Sequence, residues 1–209
     1  MISSSVSLYA PAIASYVARA GLAFFSVEYR LAPGHPGDGP VADVYAALGF
    51  FSAYAADWNV DPRRLAITGD SAGGGLAAGA ALLVRDGNLT PPLAKQLLIY
   101  PMLDDRTGFR GGGALERYHF WTAAYNRTAW EAVLGAGRAG AADAGSRSAW
   151  RRDEPATCRV CRLPMWKSED WTCLSATRLR LLSDSWLGTW MLSFTCCLDS
   201  YTGSTAAAC

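Results

Sequence analysis

The sequence predicts an α/β protein built on a parallel sheet with helices on both faces. Short apolar runs rich in β-formers alternate with longer segments whose apolar residues recur at three- and four-residue steps. This strand, helix, strand, helix, strand order is that of βαβ units. The short runs are nearly continuous in hydrophobicity, as expected of parallel strands buried on both faces, and glycine and proline clusters separate them from the helical segments.

Residues Leu8 to Arg19 are expected to form a helix with Tyr9, Ile13, Tyr16 and Val17 on one face and Gly21 as its C-cap. Leu22-Ala-Phe-Phe-Ser-Val-Glu-Tyr29 then reads as a buried strand near 22–28, and Leu31 to Pro40 as a loop. From Val41, the residues Val44, Tyr45, Leu48, Phe51, Ala55 and Trp58 mark the stripe of an amphipathic helix that ends at Asn59-Val-Asp-Pro62. A short strand is expected at 64–68, a tight turn over Gly69 to Gly75, and a small-residue helix over Leu76 to Val84, closed by Gly87 and Pro91. The last strand of the series lies near 96–100 and is stopped by Pro101.

With 209 residues, 51% of them hydrophobic, the chain can bury one sizeable core. Its 19 basic and 18 acidic residues leave a net charge of +1, which provides no field to hold nucleic acid or an anionic membrane. A small-molecule partner is expected instead. Arg19, Glu28 and Asp43 break the longest apolar stretches well short of the roughly eighteen residues that a membrane span requires. Met1 to Phe25 lacks the basic start of a secretory signal, so a cytoplasmic location is expected.

Chemistry concentrates in Gly69-Asp70-Ser71-Ala72-Gly73, between a predicted strand and a predicted helix. A serine at such a turn is held in a strained conformation with its hydroxyl above the carboxyl edge of the sheet. The small residues Gly69 and Gly73 let strand and helix approach closely. The helix N-terminus supplies N–H groups, among them that of Ala72, to an oxyanion. The blander reading is an ordinary glycine-rich turn; the strand and helix flanks favour a nucleophile elbow carrying Ser71.

Ser26-Val-Glu-Tyr-Arg-Leu-Ala-Pro33, His35-Pro36, Asp43-Val-Tyr-Ala-Ala-Leu48, Val60-Asp-Pro62, Gly69-Asp-Ser-Ala-Gly-Gly74 and Leu98-Ile-Tyr-Pro-Met-Leu-Asp104 follow one another in this order. Together they resemble the hormone-sensitive-lipase-like carboxylesterases of the α/β-hydrolase fold. The resemblance runs from Met1 to about Gly135, through Phe120-Trp121, Tyr125-Asn-Arg127 and Trp130, with Gly34 and Gly37 where that family usually has an acidic and an aromatic residue. It implies a carboxylic ester substrate, a serine nucleophile and no cofactor. It also implies an oxyanion loop, His-Gly-Gly-Gly, just ahead of Met1, and a triad Asp and His after the serine. Gly111-Gly-Gly113 follows Ser71 and has no strand before it, so it does not replace that loop. No histidine follows His119, and both His35 and His119 read as structural. Asp70 is expected to buttress the elbow rather than serve as triad acid, and Asp104 and Asp105 to cap or solvate a loop. The expectation is thus a fold incomplete at both ends and a chain inactive as written.

Residues 1–144 form the expected partial hydrolase domain, and 145–209 differ in kind. All six cysteines, Cys158, Cys161, Cys173, Cys196, Cys197 and Cys209, lie there, with most of the tryptophans and no clear apolar period. The segment is compatible with an out-of-frame reading of a hydrolase C-terminus. When the last base of each codon is joined to the first two of the next, Met165-Trp166 must give Val, Trp166-Lys167 Glu, Asp170-Trp171 Leu and Trp171-Thr172 Asp. The shifted frame then permits segments similar to those holding the family's catalytic Asp and His. A tail without firm structure is expected. The rivals are a hydrolase-like binding protein without a triad, disulfides, and zinc held by Cys158-x-x-Cys161 with Cys173, Cys196 or Cys197. Zinc lacks a second pair at matching spacing, so no metal site is expected.

Overall fold

The computed structural model describes residues 1–106 and 118–141 together with the backbone of one further strand, Trp190–Thr195. Helix α1, Val6–Ala20, starts at Ser5, whose hydroxyl accepts from the Leu8 N–H. It ends at Gly21, whose φ of 64° is the left-handed cap that glycine adopts without a Cβ clash. Strand β1, Ala23–Ser26, follows, then helix α2, Gly39–Ala53. A 3-10 turn over Ala55–Trp58 extends the α2 stripe, and Asn59 ends it at φ 55°. Strand β2, Leu65–Asp70, leads directly into helix α3, Ser71–Asp86. Strand β3 is Lys95–Ile99, helix α4 is Ala123–Leu134, and β4 is Trp190–Thr195.

The four strands form one parallel sheet in the order β1-β4-β2-β3. Adjacent residues of a strand point to opposite faces. Phe24 stacks on Tyr16 of α1 while Phe25 stacks on Phe51 of α2, so α1 and α2 cover opposite faces. The expected parallel sheet with helices on both faces is therefore what the chain forms. The main core lies on the α2 and α3 side, where Val41, Val44, Leu48 and Phe51 meet Leu76, Ala77, Ala80 and Val84. Arg30 holds Asp43 through its backbone N–H and guanidinium at 2.7 to 3.1 Å, tying the loop after β1 to α2. That bond, foremost among the causes, holds the Asp43 carboxyl below its usual range.

Several local expectations are corrected by the packing. Helix α3 begins at Ser71 rather than Leu76, so Gly73, Gly74 and Gly75, read as part of a turn, lie in its first coils. They are buried, and a Cβ at Gly74 would lie 3.0 Å from both the Gly69 carbonyl oxygen and the Pro101 side chain. Close approach to neighbouring backbone, and not a turn, is what Gly74 provides. Strand β1 is only half-buried, because β1 and β3 are the outer strands among the described residues. Tyr16 and Val17 of the anticipated α1 face are exposed.

One segment of the tail, expected to lack firm structure, is a strand. Trp190–Thr195 lies between β1 and β2, paired with both. Strands β1 and β2 are joined through α2 yet leave one strand position between them, and this six-residue run pairs with the backbone groups of both. The boundary expected at 144–145, the out-of-frame reading and the cysteines otherwise fall outside the described residues.

Phe51 and Phe50 separate burial from hydrophobicity. Phe51 is 1% exposed, with ring centroids 4.7 Å from Phe25 and 5.1 Å from Trp58, whereas Phe50 is 53% exposed. Phe51→Ala is expected to cost about 3–5 kcal/mol in urea unfolding. Phe50→Ala is expected to cost about 1 kcal/mol or less, chiefly through its contact with Tyr54.

Candidate active site

Strand β2 carries the site because its register is held on both sides. Asp70 is level with Ile99 of β3 and with Thr195 of β4, so Ser71 leaves the sheet at its carboxyl edge, where α/β sheets bind ligands. Ser71 has a φ of 50°, a left-handed conformation that costs a residue with a Cβ roughly 1–2 kcal/mol. The sharp reversal from strand to helix demands it. The Ser71 carbonyl accepts from the Met102 N–H at 2.8 Å, fastening the turn to the chain leaving β3. Ser71 is half-buried and Ala72 buried beneath it in the first turn of α3. Gly69 lies in the buried part of β2, and Gly73 in the buried first turn.

Asp70 is at the N-cap of α3, yet its side chain makes no capping bond. Its Oδ2 instead accepts from the phenol of Tyr9 at 2.8 Å and from that of Tyr100 at 3.2 Å. Partial burial first, and then the Asp70 charge, pushes the Tyr100 phenol up to about 12. The Tyr100 phenol therefore remains a donor at neutral pH. Neither tyrosine is foreseeable as a partner of Asp70 from sequence: they lie 61 and 30 residues away, and Tyr9 reads simply as part of an apolar stripe.

The other expected residues are placed apart from this edge or play different parts. His35 is exposed, and its N–H donates to the Leu31 carbonyl. His119 is exposed and precedes α4 instead of lying within a helix, since α4 begins only after the Thr122 cap. Asp104 accepts from the backbone and guanidinium of Arg106, as a loop-capping aspartate does. Asp105 differs from expectation: it is 3% exposed, and its Oδ2 accepts from the Gly140 N–H at 2.7 Å. It anchors the segment after α4 and does not solvate a loop. A cavity lined by Ser4, Tyr9, Ile13, Glu28 and Tyr29 lies at the start of α1 and does not include Ser71. Among the described residues no group of three His, Cys, Asp or Glu could hold a metal ion, and no helix is long and apolar enough to cross a membrane.

A family profile described as an alpha/beta hydrolase fold matches residues 1–161. The carboxylesterase NlhH of Mycobacterium tuberculosis is 50% identical over 76 residues, an alignment covering 36% of this chain and 24% of that protein. Mouse arylacetamide deacetylase is 42% identical over 81 residues, covering 37% of this chain and 20% of its own. The chain thus spans about a quarter or less of the length of these curated relatives. Among solved structures, esterase LipW of Mycobacterium marinum superposes with a TM-score of 0.56 at 33% identity, covering 65% of this chain and 43% of that one. Carboxyl esterase 2 of the fungus Tuber melanosporum gives 0.57 at 26% identity, covering 68% and 47%.

The Tyr100 phenol makes stability depend on alkaline pH. Its folded-state value of about 12 lies above the ordinary 10.0, so the folded chain holds this proton more tightly than the unfolded chain does. The stabilisation is complete below pH 10.0 and is lost as pH rises through about 12. In denaturant melts across that window, Tyr100→Phe is expected to lose less stability than the unmodified protein; equal losses would show that this phenol is not the group titrating.

Proposed function

Because this chain belongs to the α/β-hydrolase fold family, whose members similar to it include carboxylesterases, we propose that it is the nucleophile-bearing part of a serine carboxylesterase with Ser71 as nucleophile. The observation that carries this reading is Ser71 at φ 50° at the junction of β2 and α3, on the carboxyl edge of a parallel sheet. In the proposed reaction the Ser71 Oγ attacks the carbonyl carbon of a small carboxylic ester. A base takes the hydroxyl proton, the carbonyl oxygen becomes an oxyanion, and the Ala72 N–H at the helix N-terminus donates to it. Collapse of the intermediate releases the alcohol, which receives that proton, and water then hydrolyses the acyl-serine by the same steps. The chemistry calls for no cofactor, and the near-neutral chain is directed to a small ester, with neither nucleic acid nor a membrane as partner.

We assign no base among the described residues, and His119 is the one histidine on the C-terminal side of Ser71. A serine hydroxyl without a base is a weak nucleophile. The 209-residue polypeptide by itself is therefore expected to hydrolyse an activated short-chain ester no faster than its Ser71→Ala variant. Ser71-dependent turnover would identify an unassigned base, with His119 the first residue to replace.

A chimera tests the nucleophile directly. Residues 23–99 of this chain, β1 through β3, replace the corresponding segment of the Mycobacterium tuberculosis carboxylesterase, which supplies the remaining machinery. The chimera is expected to hydrolyse a short-chain ester, and Ser71→Ala within it to lower kcat by at least about 10⁴-fold. An active chimera indifferent to Ser71→Ala would overturn the assignment.

A further inference from the structure

Asp70 has the backbone of a helix cap, φ −112° and ψ 150°, from which an aspartate ordinarily accepts a first-turn N–H. Its carboxylate makes no such bond. Two phenols, brought from α1 and from the end of β3, donate to the same oxygen, Oδ2, at 2.8 and 3.2 Å. The location gives this diversion its meaning. A capping carboxylate would occupy N–H groups in the turn that follows Ser71 and would place a negative charge over them. Those are the groups that an oxyanion formed at Ser71 needs.

We propose that Tyr9 and Tyr100 divert the Asp70 carboxylate from capping α3, and so keep the first-turn N–H groups beside Ser71 open to an anion. Asp70 and the two tyrosines are then positioning residues. They do not touch the reacting atoms but set the field in which these react. The bearing on catalysis rests on Ser71 being the nucleophile, whereas the diversion is a property of the fold and can be measured without turnover. The raised Tyr100 value agrees with a phenol committed to donation.

The test places a thiol at the site as a reporter. A thiol at a helix N-terminus is acidified by the same N–H groups, and a nearby carboxylate opposes this. The Ser71→Cys protein is treated with iodoacetamide at about pH 7.5, and alkylation of the peptide containing position 71 is followed by mass spectrometry, apart from the native cysteines. Adding Tyr9→Phe and Tyr100→Phe together frees the carboxylate and is expected to slow alkylation roughly three- to tenfold. Adding Asp70→Ala to that triple variant removes carboxylate and cap together and is expected to restore the rate. This rescue excludes simple loosening of the turn, which Asp70→Ala would not repair.

An unchanged rate in the phenylalanine variants, or a fall that Asp70→Ala does not reverse, overturns the proposal. Each single phenylalanine variant is expected to give a smaller fall in the same direction, and thermal melts ensure that folded proteins are compared. If the double replacement does not fold, the single variants, with and without Asp70→Ala, decide by the same criteria. Failure of Ser71 as nucleophile would instead appear in the chimera's Ser71→Ala control, leaving the thiol measurement unaffected.

Discussion

Burial of β2 under α3, with hydrogen-bonded neighbours on both sides, governs where the candidate site lies. Leu65, Ala66 and Ile67 are buried, and the strand is in register with β3 and β4 along its length. A slip of one residue would turn each side chain to the wrong face of the sheet, so the register has little freedom. The carboxyl end of β2 is thereby set level with that of β3, and Ser71 and Tyr100 emerge side by side at the same edge. Helix α3 begins with no intervening loop, which forces the reversal onto Ser71 itself.

That reversal is unfavourable by itself, and the surroundings determine that it persists. The Met102 N–H holds the Ser71 carbonyl, and Gly74 lets the first turn of α3 pack on Gly69 and Pro101 without a Cβ between them. An aspartate cap, which commonly stabilises a helix by about 1 kcal/mol, is forgone at Asp70. Strained backbone at one position together with an unused cap at the next is the pattern of a site held against its local preferences, as functional sites often are. The Ser71 backbone is held at the sheet edge where the first turn of α3 begins.

Differences between sequence and structure arise from neighbours distant along the chain. Local rules treat Gly73, Gly74 and Gly75 as turn residues because glycine weakens helices, but here all three lie in the first coils of α3, and Gly74 permits contact with Gly69 and Pro101. A continuous apolar run predicts a strand buried on both faces, but β1 is an outer strand among the described residues and remains half-exposed. Asp105 reads as a loop aspartate by its neighbours, whereas its partner, Gly140, is 35 residues away. Nothing periodic marks Trp190–Thr195; pairing with two strands that are not adjacent to each other makes it one.

The sequence by itself determined the order and type of the elements from α1 to β3, the strand-to-helix context of Gly69 to Gly73, and the singular position of Ser71. These follow from periodicity, caps and turn chemistry, which act over a few residues and are therefore written locally. The tertiary structure alone decided the sheet order and the turning of Asp70 away from its helix toward Tyr9 and Tyr100. Hydrogen bonds between residues 30 and 61 positions apart depend on the register of β2 and on the approach of α1, which no local preference encodes.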